Sequence, residues 1–186
     1  LEQNSVASSY IPTNGSTVQR AAETCNESGN SEVFNDSQGV LFANTSIFSN
    51  DGTSRRISLT DGTISNRVSM EFDEIANTLK LFIDSSVLIA NNLNLTNFSK
   101  ISAKYKANDS ALWVNGFEVV TSTTSSNVPS GLDRLNFDGG DLNNDFYGKT
   151  KEIAYYDEIL TDLELETLTS YRSLNEMVTE LNLNAL

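Results

Sequence analysis

Apolar and polar residues alternate with a period of two along most of the chain from Gly39 to Tyr156. The clearest stretch is Asn66–Phe72, where Val68, Met70 and Phe72 share one face and Arg67, Ser69 and Glu71 the other. Successive strand side chains point to opposite faces, so the pattern predicts a strand with one face in the core. Further strands are predicted at Gly39–Ser49, Arg55–Leu59, Leu79–Ile83, Val87–Ala90, Leu93–Leu95, Ile101–Lys106, Ala111–Val114, Phe117–Thr121, Leu132–Phe137 and Phe146–Tyr156. Turn residues such as Asn50–Asp51–Gly52, Asp61–Gly62 and Ala107–Ser110 punctuate them. Their spacing of about 8–12 residues is that of an all-β sandwich. Asn115–Gly116 is the strongest of these signals, because a type I′ hairpin turn needs positive φ at both central residues.

After Tyr156 the period changes. Thr161, with Glu164 three residues on, forms a capping-box pattern, and Asp162 and Glu164 suit the positive end of a helix. Leu163, Leu168, Tyr171, Leu174, Val178 and Leu181 then follow at helical spacing, which predicts a helix from about Asp162 to Asn175. That stripe suits a lid on the chain's own sandwich or a contact with neighbouring subunits. The N-terminal segment is less periodic: Ile11 is held extended by Pro12, Asn14–Gly15 is a turn, Thr17–Arg20 a short strand and Asn26–Ser31 a polar linker. The expected division is an arm, or the end of a preceding module, over 1–31, a sandwich over 32–173 and a helical tail over 174–186.

With 186 residues the chain suits one domain with a sizeable core. Its net charge of −13 argues against nucleic acid, whose phosphates call for a basic surface. There is no His, which removes Ser–His–Asp triads and His-based metal sites. Cys25 is the single Cys, so no intrachain disulfide forms. No apolar run approaches membrane-spanning length, so no membrane insertion is expected. No signal peptide is visible, and the first residue is not Met. A processed chain or a piece of a longer polypeptide is expected.

The order W-V-N-G, F-E-V-V, a Ser/Thr loop, P-S-G-L-D-R-L-N-F, then D-F-Y-G-K-T-K-E-I-A-Y-Y-D-E-I-L-T-D-L-E resembles the laminin-G-like, concanavalin A-like jelly-roll domains. The resemblance covers about Asn35 to Tyr171 and is most specific in the last third. It implies an all-β, two-sheet antiparallel jelly-roll sandwich with a short C-terminal helix. It also implies a lectin-like role, of the kind found in bacteriophage tail or fibre proteins and secreted bacterial proteins.

The related glucanases carry a strand of the type E-x-D-x-x-E, with two carboxylates flanking a glycosidic bond. Here Glu71 and Asp73 share a face, but Glu74 points to the other, so the second catalytic carboxylate is missing. The candidate carbohydrate-binding residues are Trp113, Tyr147 and Arg55. An aromatic face stacks on a sugar ring, and an Arg contacts an acidic glycan. The alternatives are core packing for Trp113 and a surface ion pair with Asp51 for Arg55. Asp138, Asp141, Asn143 and Asp145 offer the oxygen ligands that calcium takes, in a Gly-containing loop that also reads as a plain turn.

The expected function is a non-catalytic, lectin-like recognition domain of a modular phage virion protein or a secreted bacterial adhesin. Its partners would be surface glycans and other subunits of a fibre. The alternative is a structural virion module without a ligand.

Overall fold

The computed structural model describes Gly15 and residues 28–181. The predicted Ile11–Pro12 extension, the Thr17–Arg20 strand, Cys25 and the tail beyond Leu181 lie outside the described residues. The strands are β1 (Gln38–Ile47), β2 (Arg55–Thr60), β3 (Arg67–Phe72), β4 (Leu79–Ile83), β5 (Ser86–Ala90), β6 (Ser99–Lys106), β7 (Ser110–Val114), β8 (Phe117–Ser122), β9 (Arg134–Asn136) and β10 (Gly148–Tyr156). They form two five-stranded sheets, and every neighbouring pair is antiparallel. The front sheet runs β5-β4-β3-β2-β9 and the back sheet β10-β1-β6-β7-β8.

The period-two faces meet between the sheets. Ile57, Leu59, Val68, Met70, Phe72, Leu79, Leu81 and Ile83 come from the front, and Leu41, Ala43, Ile101, Ala103, Tyr105, Leu112 and Val114 from the back. Each Val, Leu, Ile, Phe or Met among them stabilises by about 1.5–3 kcal/mol when removed from water. Tyr105 is fully buried, yet its hydroxyl donates to the Asn35 carbonyl at 2.5 Å and lies 2.9 Å from the Tyr155 hydroxyl. Burial pushes the phenol well above its ordinary value of 10, so it stays neutral.

Asn115 and Gly116 join β7 to β8 at φ 52° and 87°. Asn115 Oδ1 also accepts from the Lys100 amide at 2.9 Å, which ties the turn to β6. A Cβ on Gly116 would meet Ser170 Oγ at 2.6 Å, so the position requires Gly for space as well as for φ.

Two predicted strands are shorter or missing. β9 keeps only Arg134–Asn136, because the Gly131 and Leu132 amides donate to the Asp36 carboxylate instead of to a ladder. Leu93–Leu95 is a loop whose backbone bonds reach Asn77 and Ile47.

The predicted single helix is two: α1 (Asp162–Thr169) and α2 (Leu174–Glu180). The Thr161–Glu164 capping box opens α1. The break falls at Ser170, which is extended and whose carbonyl accepts from Lys100 Nζ at 3.0 Å. Ser173 then caps α2 by accepting from the Glu176 amide at 3.1 Å. Leu165 packs against Val40, Ala111 and Trp113 on the outer face of the back sheet, whereas Leu163 is exposed.

Leu81→Ala should lower the unfolding free energy by about 2–5 kcal/mol in a urea titration, and Leu163→Ala by less than about 0.5 kcal/mol. Equal effects would contradict this placement of the core.

Candidate functional site

Both helices sit on the back sheet. α1 packs on β6, β7 and β8, and α2 is tied down by Lys100–Glu176 at 2.7 Å and Lys151–Glu180 at 2.5 Å. The outer face of the front sheet carries neither helix. Its residues are the polar half of the alternation: Arg56 and Ser58 on β2, Arg67, Ser69 and Glu71 on β3, and Lys80 and Phe82 on β4. The edge strand β5 adds Val87 and Ile89, both nearly half exposed.

These polar residues are largely sealed by one another. Glu71, only 3% exposed, pairs with the Arg56 guanidinium and lies 3.6 Å from Lys80 Nζ. Lys80 also pairs with Asp73, whose Oδ1 accepts from the Ile75 amide at 2.8 Å. Ser58 Oγ lies 2.7 Å from both Ser69 Oγ and the Asp138 carbonyl. The guanidinium groups of Arg56 and Arg67 both approach the Phe82 ring, at 5.3 and 4.5 Å from its centroid.

Arg67 differs from its neighbours. It is 8% exposed, and its Nε and Nη1 are buried without a hydrogen-bond acceptor. Burial, then the like charge of Arg56, holds its pKa below its ordinary value, against the opposite pull of Glu71 and Asp141. By contrast, Arg55 pairs with Asp51 at 2.6 Å and Arg134 with Asp133 at 2.6 Å.

The sequence-predicted residues do not form one site. Trp113 lies on the outer face of the back sheet beneath Leu165, 7% exposed, so its ring faces the helix and not solvent. Arg55 points inward with Ile57 and is buried. Its ion pair holds the Asp51 carboxyl down to about 2, through the hydrogen bond first. Tyr147 is exposed, meets Phe48 in a tilted contact with the ring centroids 4.8 Å apart, and has Arg55 6.0 Å from its ring. Asp138 is buried and accepts from the Gly140 amide at 2.5 Å, while Asp141 accepts from Asn143 Nδ2 at 3.0 Å and Asp145 is exposed. Among the described residues, no three His, Cys, Asp or Glu side chains gather around one point. Glu71 and Asp73 share a face, as their spacing predicts, and each is matched by a cation.

Arg67 and Phe82 were not singled out from the sequence, although the signal was there. In Leu79–Ile83 the leucines and Ile83 point inward, which leaves the aromatic Phe82 on the polar phase beside Lys80.

No family model and no curated protein sequence matches this chain. Solved structures do share its fold. The CBM40 domain of a Ruminococcus gnavus IT-sialidase, bound to alpha2,3 sialyllactose, is 14% identical over 80% of this chain and 97% of its own, with a TM-score of 0.61. A SAP-like pentraxin from Limulus polyphemus is 15% identical over 80% of this chain and 76% of its own, at 0.60. A leech intramolecular trans-sialidase is 16% identical over 75% of this chain but 24% of its own, also at 0.60. At such identities the likeness is one of fold, and the fold is a concanavalin A-like jelly roll.

The Asp73–Lys80 pair makes acid stability a readout of this face. Burial alone would raise the Asp73 carboxyl, but the Lys80 hydrogen bond and the Ile75 amide together bring it below its ordinary 3.8. Its contribution is therefore present above that value and lost as pH falls through the lower folded value. Lys80 is raised above 10.5, chiefly by the hydrogen bond to Asp73, so its share is lost only on the alkaline side. Asp73→Asn should melt below the wild type at neutral pH, with the gap closing as pH falls below 3.8. A gap independent of pH would contradict the pairing.

Proposed function

We propose that this concanavalin A-like sandwich is a non-catalytic carbohydrate-binding domain and that it meets glycans with the outer face of its front sheet. The observation that carries the reading is the make-up of that face. Exposed Val87 and Ile89 adjoin Phe82, and charged planar donors surround the ring. Sugars present apolar C–H faces and a rim of hydroxyls, so an apolar shelf with a few polar groups at fixed positions suits them. The Ruminococcus gnavus domain, bound to alpha2,3 sialyllactose in one structure and alpha2,6 sialyllactose in another, supports the same reading.

A non-catalytic role fits the carboxylates on this face. Glu71 and Asp73 are nine-tenths buried and each is tied to a cation, so neither is free to protonate a leaving group. The setting we favour is a modular phage virion protein, such as a tail or head fibre, or a secreted bacterial adhesin.

A second reading, a structural assembly module, is favoured by a different surface. Exposed Leu163, with Tyr156, Leu160 and Leu168, lines a cup of about 380 Å³ beside α1. That surface suits another subunit of a fibre.

A glycan array separates the two. Wild type and Leu163→Asp should bind the same glycans, and Ile89→Asp should bind them at least about tenfold more weakly while keeping its circular dichroism spectrum. An array on which the wild type binds nothing would overturn the carbohydrate reading and leave the assembly role.

A further inference from the structure

We propose that Arg67 is an anion anchor, so that the glycans taken by this face carry a negatively charged substituent, a carboxylate or a sulfate. The inference rests on the carbohydrate-binding reading for its ligand class and on Arg67 itself for its charge.

A buried guanidinium without an acceptor is costly, because it gives up hydration and gains no partner. Arg67 has two such buried nitrogens. The chain has ample means to satisfy them, with 25 acidic residues against 12 basic ones. Arg55, Arg56 and Arg134 each found a carboxylate. The carboxylate nearest in sequence on the same face, Glu71, is taken by Arg56 and Lys80. Phe82 supports the guanidinium from one side at 4.5 Å, which holds the group in place but supplies no acceptor. Arg56 shares the ring, 5.3 Å from its centroid, but its own charge is matched by Glu71, and Asp141 acts on Arg67 only as a charge at a distance.

The neighbours of Arg67 define the rest of the ligand. Val87 stands opposite Phe82 and Ile89 opposite Lys80 in the β4–β5 register, so the apolar shelf begins where the cationic patch ends. A ligand that fills both has an anionic group at one end and an apolar face beside it. A uronic acid, a sialic acid or a sulfated sugar meets that requirement, and a neutral hexose lacks the charge.

The test is isothermal titration of the full chain with lactose, sialyllactose, an oligogalacturonate and a sulfated lactose. It is paired with an NMR titration that follows the Arg67 Nε–H signal. Sialyllactose against oligogalacturonate and sulfated lactose tells which anionic sugar is taken. The wild type should prefer at least one acidic glycan over lactose by about tenfold or more, and the preference should weaken with added salt. Arg67→Gln should bring acidic and neutral glycans to within about twofold of each other, and Arg67→Lys should keep part of the preference. Equal binding of lactose and all the acidic sugars by the wild type would overturn the anchor and leave the carbohydrate reading intact. If no glycan binds, titration with sodium sulfate and sodium acetate decides. A saturating shift of the Arg67 Nε–H signal keeps the anion site while the carbohydrate reading fails, and no shift overturns the site as well. The NMR arm uses the wild type, so it holds even where a substitution unfolds the chain.

Discussion

Two stacked sheets have four faces, and each face has to be buried, covered or wetted. The inner pair of faces is settled by the period-two alternation, which drives Leu59, Met70 and Leu81 against Leu41, Ile101 and Leu112. The outer face of the back sheet is settled by α1, which lays Leu165 over Trp113 and docks its end on the Asn115–Gly116 turn through Thr169 Oγ1. The fourth face, on the front sheet, carries neither α1 nor α2. It is satisfied by charge, and the way its charges are satisfied sets Arg67 apart from the rest of the network.

That face is not a solvated surface of loose side chains. Glu71 and Asp73 are buried, and Arg56 and Lys80 stand beside them as counter-charges. Leaving one partner of such a buried pair alone costs about 3–5 kcal/mol, so the network fixes the positions of its members. It also consumes the nearby carboxylates. What remains is Arg67, held on Phe82 with two buried nitrogens that meet no hydrogen-bond acceptor. In the proposed site, a guanidinium held against a ring beside the exposed Val87 and Ile89 would lose little freedom when a ligand arrives.

The strands and their turns were legible because burial imposes alternation, and because Asn115–Gly116 meets a backbone requirement that few residue pairs satisfy. The capping box at Thr161 was legible for a similar reason: it is a local hydrogen-bond exchange within four residues. The break between the helices was not, since it depends on Lys100, which is remote in sequence and bonds the Ser170 carbonyl. The helical stripe read from the sequence runs through Leu163 and leaves out Leu165, and the structure reverses the two, because the back sheet lies against the Leu165 side of α1. The same holds for Trp113. Its phase against Leu112 and Val114 was clear, but which face would receive a helix was not. Composition misled for the acidic loop, where Asp138 turns inward to accept from Gly140 while Asp145 stays exposed. Phe82 was the available clue to the site, an aromatic on the polar phase of its strand.

A crystal structure of the chain with an acidic oligosaccharide bound tests the account most directly. The account predicts the sugar ring over Phe82 and the Val87–Ile89 edge, with its anionic group against Arg67. A ligand seated instead in the cup beside α1, or at Tyr147 with the front face empty, would contradict it.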